Sequence, residues 1–327
     1  MTATTPTTAS ALRPSLRSRL LSGELVLRVW VPSLLLLVGL VVWTRAFGIP
    51  KSRAEVLGIV SLIILVMCKL HVREWARAMV VDWAGIFALL VAYDIMRGYA
   101  DELSVRAVIR PQLRADEILF GGEAPTVTLQ QHLWNGHPRM PDYITWVVYT
   151  SHFFVPMGVA VVLWYLARPQ FRVWTASVVA LSFMAFATYW LVPAAPPWMA
   201  GQLGVIDPVT RVVHEVWSGG WAPPNVAAAW DPNAKHDVSN PVAALPSLHA
   251  AFPMLLCLFF WTRANRLWKG ILAWYVLAMG FALVYGGEHY VFDVLLGWLY
   301  AALVHVVVVN RARIARWIRR GNRTSTT

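Results

Sequence analysis

The chain has 327 residues, 58% of them apolar and 14% charged, with a net charge of +11. Soluble domains hold about 45–50% apolar and about 25% charged residues, and a water-facing surface cannot hide the excess, so a single soluble globule is excluded. Nor does the positive charge point to nucleic acid, because it lies in the two tails and in short loops beside apolar runs. Membrane lipid is the partner this composition implies, and the 18 tryptophans suit the headgroup boundary, where the ring is apolar and its N–H stays wet.

A hydrocarbon core about 30 Å thick needs about 20 helical residues. Runs near that length fall at 26–46, 54–70, 76–97, 143–167, 171–192, 246–262, 270–286 and 290–310. They predict an all-α, polytopic membrane bundle of about eight transmembrane helices. A basic tail over 1–25 (Arg13, Arg17, Arg19) precedes a membrane domain over 26–310, and a second basic tail follows over 311–327. The first apolar run is too long for a cleavable signal and is expected to stay in the membrane. Lys69, Arg73 and Arg77, then Arg168 and Arg172, then Arg263, Arg266 and Lys269 mark three short loops as cytoplasmic, which puts both termini there as well. Arg45, Lys51 and Arg53 fall outside, a departure the rule tolerates. A bacterial plasma membrane is the expected location.

Two long segments, 98–142 and 193–245, then face the exterior or periplasm. The first carries Asp101, Glu102, Asp116 and Glu117 among arginines and suggests a surface helix; the second, rich in Pro, Trp and Ala, suggests a lid. The C-terminal RARIARWIRR reads either as an amphipathic helix on anionic lipid or as a positive-inside stop. Cys68 and Cys257 lie within apolar runs and read as buried thiols.

Two clusters at exterior helix ends carry chemistry. Pro246-Ser247-Leu248-His249-Ala250 opens the sixth run, where a proline costs nothing and the free first-turn N–H groups with the serine hydroxyl make an anion seat beside His249. Gly286-Gly287-Glu288-His289-Tyr290-Val291-Phe292-Asp293 joins the seventh run to the eighth. His289 and Asp293 are four apart and share a face if helical; the carboxylate would take the Nδ1 proton and leave Nε2 as a nucleophile. Either cluster alone also fits a structural histidine. Their joint placement, 40 residues apart across one helical hairpin, is much harder to read as structural and marks a functional site beside an anion seat.

At these residues the sequence resembles the type 2 phosphatidic acid phosphatase superfamily, with PSLHA matching its PSGH-type motif and HYVFD its HxxxD motif. It looks closest to the branch of inositol phosphorylceramide synthases, whose APPW element is similar to Pro193-Ala194-Ala195-Pro196-Pro197-Trp198 and whose HYxxDxxxG runs here from His289 to Gly297. The likeness spans roughly 90–305. It implies a six-helix catalytic core, a lipid phosphate substrate, a phosphohistidine on His289 braced by Asp293, His249 as acid and base, and Ser247 on the phosphate oxygens. No metal and no cofactor are expected. The superfamily's KxxxxxxRP motif is missing, and its SR pair falls on Ala282 and Leu283, so the phosphate needs another cation. Arg97 is the candidate, read equally as a phosphate ligand or a snorkelling side chain. His152 is a second candidate for substrate contact, read alternatively as an interhelical hydrogen-bonder. Lys235, His236 and Asp237 could meet a headgroup or be ordinary loop. A transporter is the alternative of another class, and a vanadate peroxidase shares the histidines but not their cation-rich pocket.

Overall fold

The computed structural model describes residues 53–68, 71–99, 106–216 and 242–324. The run at 26–46, the tail 1–25 and the trio Lys235, His236 and Asp237 lie outside the described residues. Residues 1–72 and 73–327 form separate compact units. The first holds α1 (Arg53–Met67), at the second expected span. From its boundary onward come α2 (Val72–Arg77), a π-helical turn (Ala78–Asp82) and α3 (Ala84–Gly98). Next are α4 (Arg110–Leu119), α5 (Pro125–Leu133), α6 (Met140–Leu166), α7 (Arg168–Leu191), α8 (Pro197–Gln202), α9 (Val212–Val216), α10 (Leu248–Trp261), α11 (Arg266–Tyr285) and α12 (Val291–Thr324).

Among the described residues four helices are long and apolar enough to cross a membrane, namely α6, α7, α11 and the Val291–Asn310 part of α12. The helix pair Val72–Asp82 and Ala84–Tyr93 is apolar enough to make a fifth span if taken together, and is bent by 57° at its break. The bend has a local cause: Trp83 N–H reaches back five residues to Ala78 O at 3.1 Å, a widened turn of the kind that kinks helices. Trp83 is itself fully buried against the rings of Trp164 and Phe171. The sixth expected span, α10, has only 14 residues, about 21 Å at 1.5 Å per residue and short of the hydrocarbon thickness. It is a central helix, with Ala250, Ala251, Leu255 and Phe259 buried, packed against α11 and α12.

The outer faces explain the composition. Along α12, Leu295, Leu299, Leu303 and Val306 are all exposed, whereas Val294, Ala301 and Val304 are buried. On α11, Trp274, Leu277 and Phe281 are exposed, and Met279 and Leu283 are buried. Apolar stripes three and four residues apart on the outside suit lipid, not water. The protein is a polytopic helical membrane bundle. α12 continues without a break to Thr324, so the basic segment is helical and continues the helix of the last span, which itself covers Val291–Asn310.

The starts of α6, α10 and α12 and the ends of α7 and α11 meet at one end of the bundle. Tyr285 Oη at the end of α11 donates to Asp142 Oδ1 in the first turn of α6 at 2.5 Å, and Tyr189 Oη near the end of α7 donates to Pro246 O at 2.8 Å. The end of α3 joins them, since Met96 packs with Ala185 and Tyr189, and Leu248 rests against that cluster.

Candidate active site

Each motif is built by a helix start. Ser247 is the N-cap of α10: its hydroxyl oxygen accepts from Ala250 N–H at 3.2 Å, and the residue is fully buried. That cap sets His249 in the first turn. Ser247 N–H donates to Asp293 O at 3.0 Å, tying the start of α10 to the first turn of α12. The two helices touch where Gly297 faces this cap. A Cβ there would lie 2.3 Å from Ser247 O and 3.5 Å from Ala251 N, both backbone atoms that cannot rotate away. Gly297→Ala is therefore expected to part the two motifs and lower kcat by about 100-fold, the scale for a misplacement of about 1 Å. Kinetics and a melting curve on the purified variant check it; wild-type turnover would contradict the packing argument.

The GGEHYVFD corner is not the continuous helix that the four-residue spacing suggests. Gly287 has φ of +78°, a conformation that suits glycine, and His289 precedes α12 instead of lying on it. Asp293 reaches back from within the first turn: its Oδ2 accepts from Tyr290 N–H at 3.0 Å and lies 3.5 Å from His289 Nδ1. This is half of a capping box, and it brings carboxylate and imidazole together by a turn and not by a helix face. The 3.5 Å separation is longer than a tight hydrogen bond, a slack that substrate binding commonly closes. His289 N–H and Glu288 N–H both donate to Leu283 O, so one position of the missing SR pair contributes a backbone carbonyl instead of a cation.

A belt from the Pro-rich segment holds this corner. Trp198 N–H donates to Gly287 O at 3.1 Å and Val212 N–H to Gly286 O at 3.3 Å. Gln130 Nε2 donates to Thr210 O and Tyr285 O, while its Oε1 accepts from Thr210 N–H. The APPW element is paired on both sides, Ala194 N–H with Val242 O and Ala195 N–H with Val108 O. Arg211 binds both Glu288 oxygens, at 3.1 and 3.4 Å, and its guanidinium lies 4.5 Å from the Trp198 ring centre. Sequence reasoning missed Arg211. It is a single arginine in a loop, 77 residues from its carboxylate, and no spacing rule connects them.

The structure brings His249 and His289 together, with ring centres 5.9 Å apart. His289 is buried and Asp293 fully so. His152 joins them: its ring stacks on His249 at 3.9 Å and 25°, with Phe252 stacked on it at 5.2 Å. Tyr149 also stacks on His249, at 4.7 Å. Contact of His152 with α10 is thus ring stacking, and its Nδ1 and His249 Nε2 are buried without a hydrogen-bond partner. Each histidine stands four residues before a proline inside its helix, Pro156 and Pro253, so neither carbonyl has its usual N–H donor. Arg97 occupies the last turn of α3, beside Met96 at this end of the bundle, but its side chain lies outside the described residues. Among the described residues no cluster of three or more His, Cys, Asp or Glu could hold a metal ion.

Asp116 corrects the sequence reading. Expected on an exposed helix, it is fully buried on α4, with Gln112 and Leu113. Its Oδ2 accepts from Val291 N–H and its Oδ1 from Phe292 N–H, both at 2.9 Å. Burial pushes its carboxyl up to about 6, the two N–H bonds pull it back, and neighbouring Asp293 raises it further.

Helix starts that present histidines to one buried point between membrane spans define the class: a polytopic membrane protein with a paired-imidazole site. Residues 123–307 match the PAP2 superfamily, and the chain belongs to it. The phosphoinositol dihydroceramide synthase of Bacteroides thetaiotaomicron is 31% identical over 119 residues, which cover 36% of this chain and 38% of that protein. No solved structure matches the chain.

Proposed function

We propose that the protein transfers the phosphoryl group of a phospholipid or polyprenyl phosphate at the exterior leaflet, through a covalent phosphohistidine and without a metal ion. The observation that carries this reading is the meeting of His249 and His289, 5.9 Å apart, with Asp293 beside His289 Nδ1. A single phosphoryl group can bridge two imidazoles so placed. His289 Nε2 attacks phosphorus, the bond from phosphorus to the lipid alcohol oxygen breaks, and His249 gives that oxygen its proton. The acceptor hydroxyl then loses its proton to His249 and attacks phosphorus, and the P–N bond breaks. Asp293 holds the tautomer and meets the imidazolium charge. The Ser247 hydroxyl, whose oxygen accepts from Ala250 N–H and whose proton remains to donate, together with the positive end of α10 meets the equatorial oxygens, where charge must be stabilised. His152, stacked on His249, borders the same space.

Arg211 takes the place left by the missing superfamily cations, with Arg97 as the second candidate. Glu288 and Trp198 fix the guanidinium on the turn that bears His289. Arg211→Gln is expected to raise KM about tenfold, one charge-assisted contact's worth. Titrating the variant with a lipid phosphate checks this, and an unchanged KM would move the role to Arg97.

Orientation rests on the basic short loops, which put the histidine end outside and both termini in the cytoplasm of a bacterial plasma membrane. A second reading, suggested by the name of the Bacteroides relative, is inositol-phosphoryl transfer to a lipid alcohol by the same two histidines. Both readings are tested together in nanodiscs with EDTA present. Phosphatidic acid, polyprenyl phosphate and phosphatidylinositol are supplied with and without myo-inositol or a ceramide. Inorganic phosphate as sole product defines a hydrolase, and a new phospholipid a transferase. Activity lost to EDTA, or no product from any donor, would contradict the proposal.

A further inference from the structure

The start of α12 presents backbone N–H groups that the helix itself cannot satisfy. Tyr290 N–H goes to Asp293, and Val291 and Phe292 N–H go to Asp116. Tyr290, at the cap position, is an aromatic residue and has no carboxylate or short hydroxyl with which to cap the turn. Without Asp116 the remaining first-turn donors would compete with His289 for the oxygens of Asp293. With it, Asp293 serves one backbone N–H through Oδ2, the oxygen 3.5 Å from His289 Nδ1, and no further backbone donor draws on either oxygen, Oδ1 being unpartnered.

We propose that Asp116 is a positioning residue for phosphoryl transfer: from α4 it caps the first turn of α12 and so reserves the Asp293 carboxylate for His289. The proposal rests on the reading of His289 and Asp293 given above. Asp116 is itself fixed from behind. Gln112 Nε2 bonds Val108 O, and Val108 pairs with Pro193 and Ala195 of the Pro-rich element, which tracks the position of α4 to the belt around the site. A carboxylate suits this place better than a serine because it can accept from two N–H groups at once, and its charge favours a helix N-terminus. The titratable groups facing it from α12 are Tyr290 and Asp293; on α4, Arg114 and Glu117 pair with each other at the surface. With a pKa of about 6 the carboxylate form prevails at neutral pH.

The test is a mutant cycle on the full chain in nanodiscs, using labelled phosphatidic acid in single turnovers with enzyme in excess so that slow variants stay measurable. Asp116→Asn keeps the shape but offers one acceptor where two are used. It should slow the chemical step by about 10- to 100-fold with lipid affinity unchanged within about twofold. In an Asp293→Asn background the same change should cost less than about twofold, since there is no carboxylate left to reserve. An equal loss in both backgrounds, or no loss in the single variant, would overturn the proposal. Asp116→Glu, which keeps the charge but moves it by one methylene, replaces Asp116→Asn with the same expectation if the latter does not fold. His289→Ala, run alongside, separates the two readings. If it stays active the histidine chemistry is wrong, whereas an inactive His289→Ala beside an additive cycle dismisses Asp116 alone.

Discussion

His289→Ala is expected to abolish phosphoryl transfer, with a fall on the order of a million-fold, the scale for removing the nucleophile of a catalytic unit. His249 lies across the site with its ring stacked against Tyr149 and His152, which suits proton transfer and not in-line attack. The fold should survive. His289 contributes its backbone N–H to Leu283 O whatever its side chain, and the corner is held by Gly287, Trp198 and Val212 through main-chain bonds. A melting temperature near wild type together with loss of product from every lipid phosphate is the expected pair of results.

Asp293→Asn is the second large effect, a fall of about 10,000-fold in kcat, the scale for removing the carboxylate that orients a catalytic imidazole. The amide oxygen can still accept from Tyr290 N–H, so the cap of α12 is kept. What goes is the charge facing Nδ1, and with it the preference for the tautomer that frees Nε2 and the stabilisation of the imidazolium-like intermediate. KM should change little, because the group meets the histidine and not the lipid. A variant within tenfold of wild type would show that the buried carboxylate is only a helix cap.

The parts of this site that could be read from sequence are those carried by local pattern. PSLHA and HYVFD announce helix starts through proline, serine and the glycine pair, and hydrophobic length alone marks α6, α7, α11 and α12. The bend at Trp83 was not legible, because 76–97 reads as one apolar run and a widened turn leaves no compositional mark. Asp116 was misread for the opposite reason. Its helix is charged, and Gln112, Leu113 and Asp116 form a largely polar inner face that periodicity assigns to solvent, because hydropathy cannot anticipate a partner 175 residues away. Arg211 with Glu288 is likewise a long-range pair. The contact between His289 and Asp293 was expected for a reason the structure replaces: they meet through a capping turn at the helix start, not across one helical face. His152 stood between two readings, and the structure gives it a contact with His249 that neither described.

The most direct measurement is chemical. Protein in nanodiscs is mixed with phosphatidic acid labelled in its phosphate, quenched in alkali within the first turnover, digested and mapped by mass spectrometry. The expected result is an alkali-stable, acid-labile phosphate on the peptide bearing His289, absent from His289→Ala and able to pass its label to water or an alcohol on a chase. Label on His249, on a serine, or on no residue while product still forms would contradict the histidine mechanism.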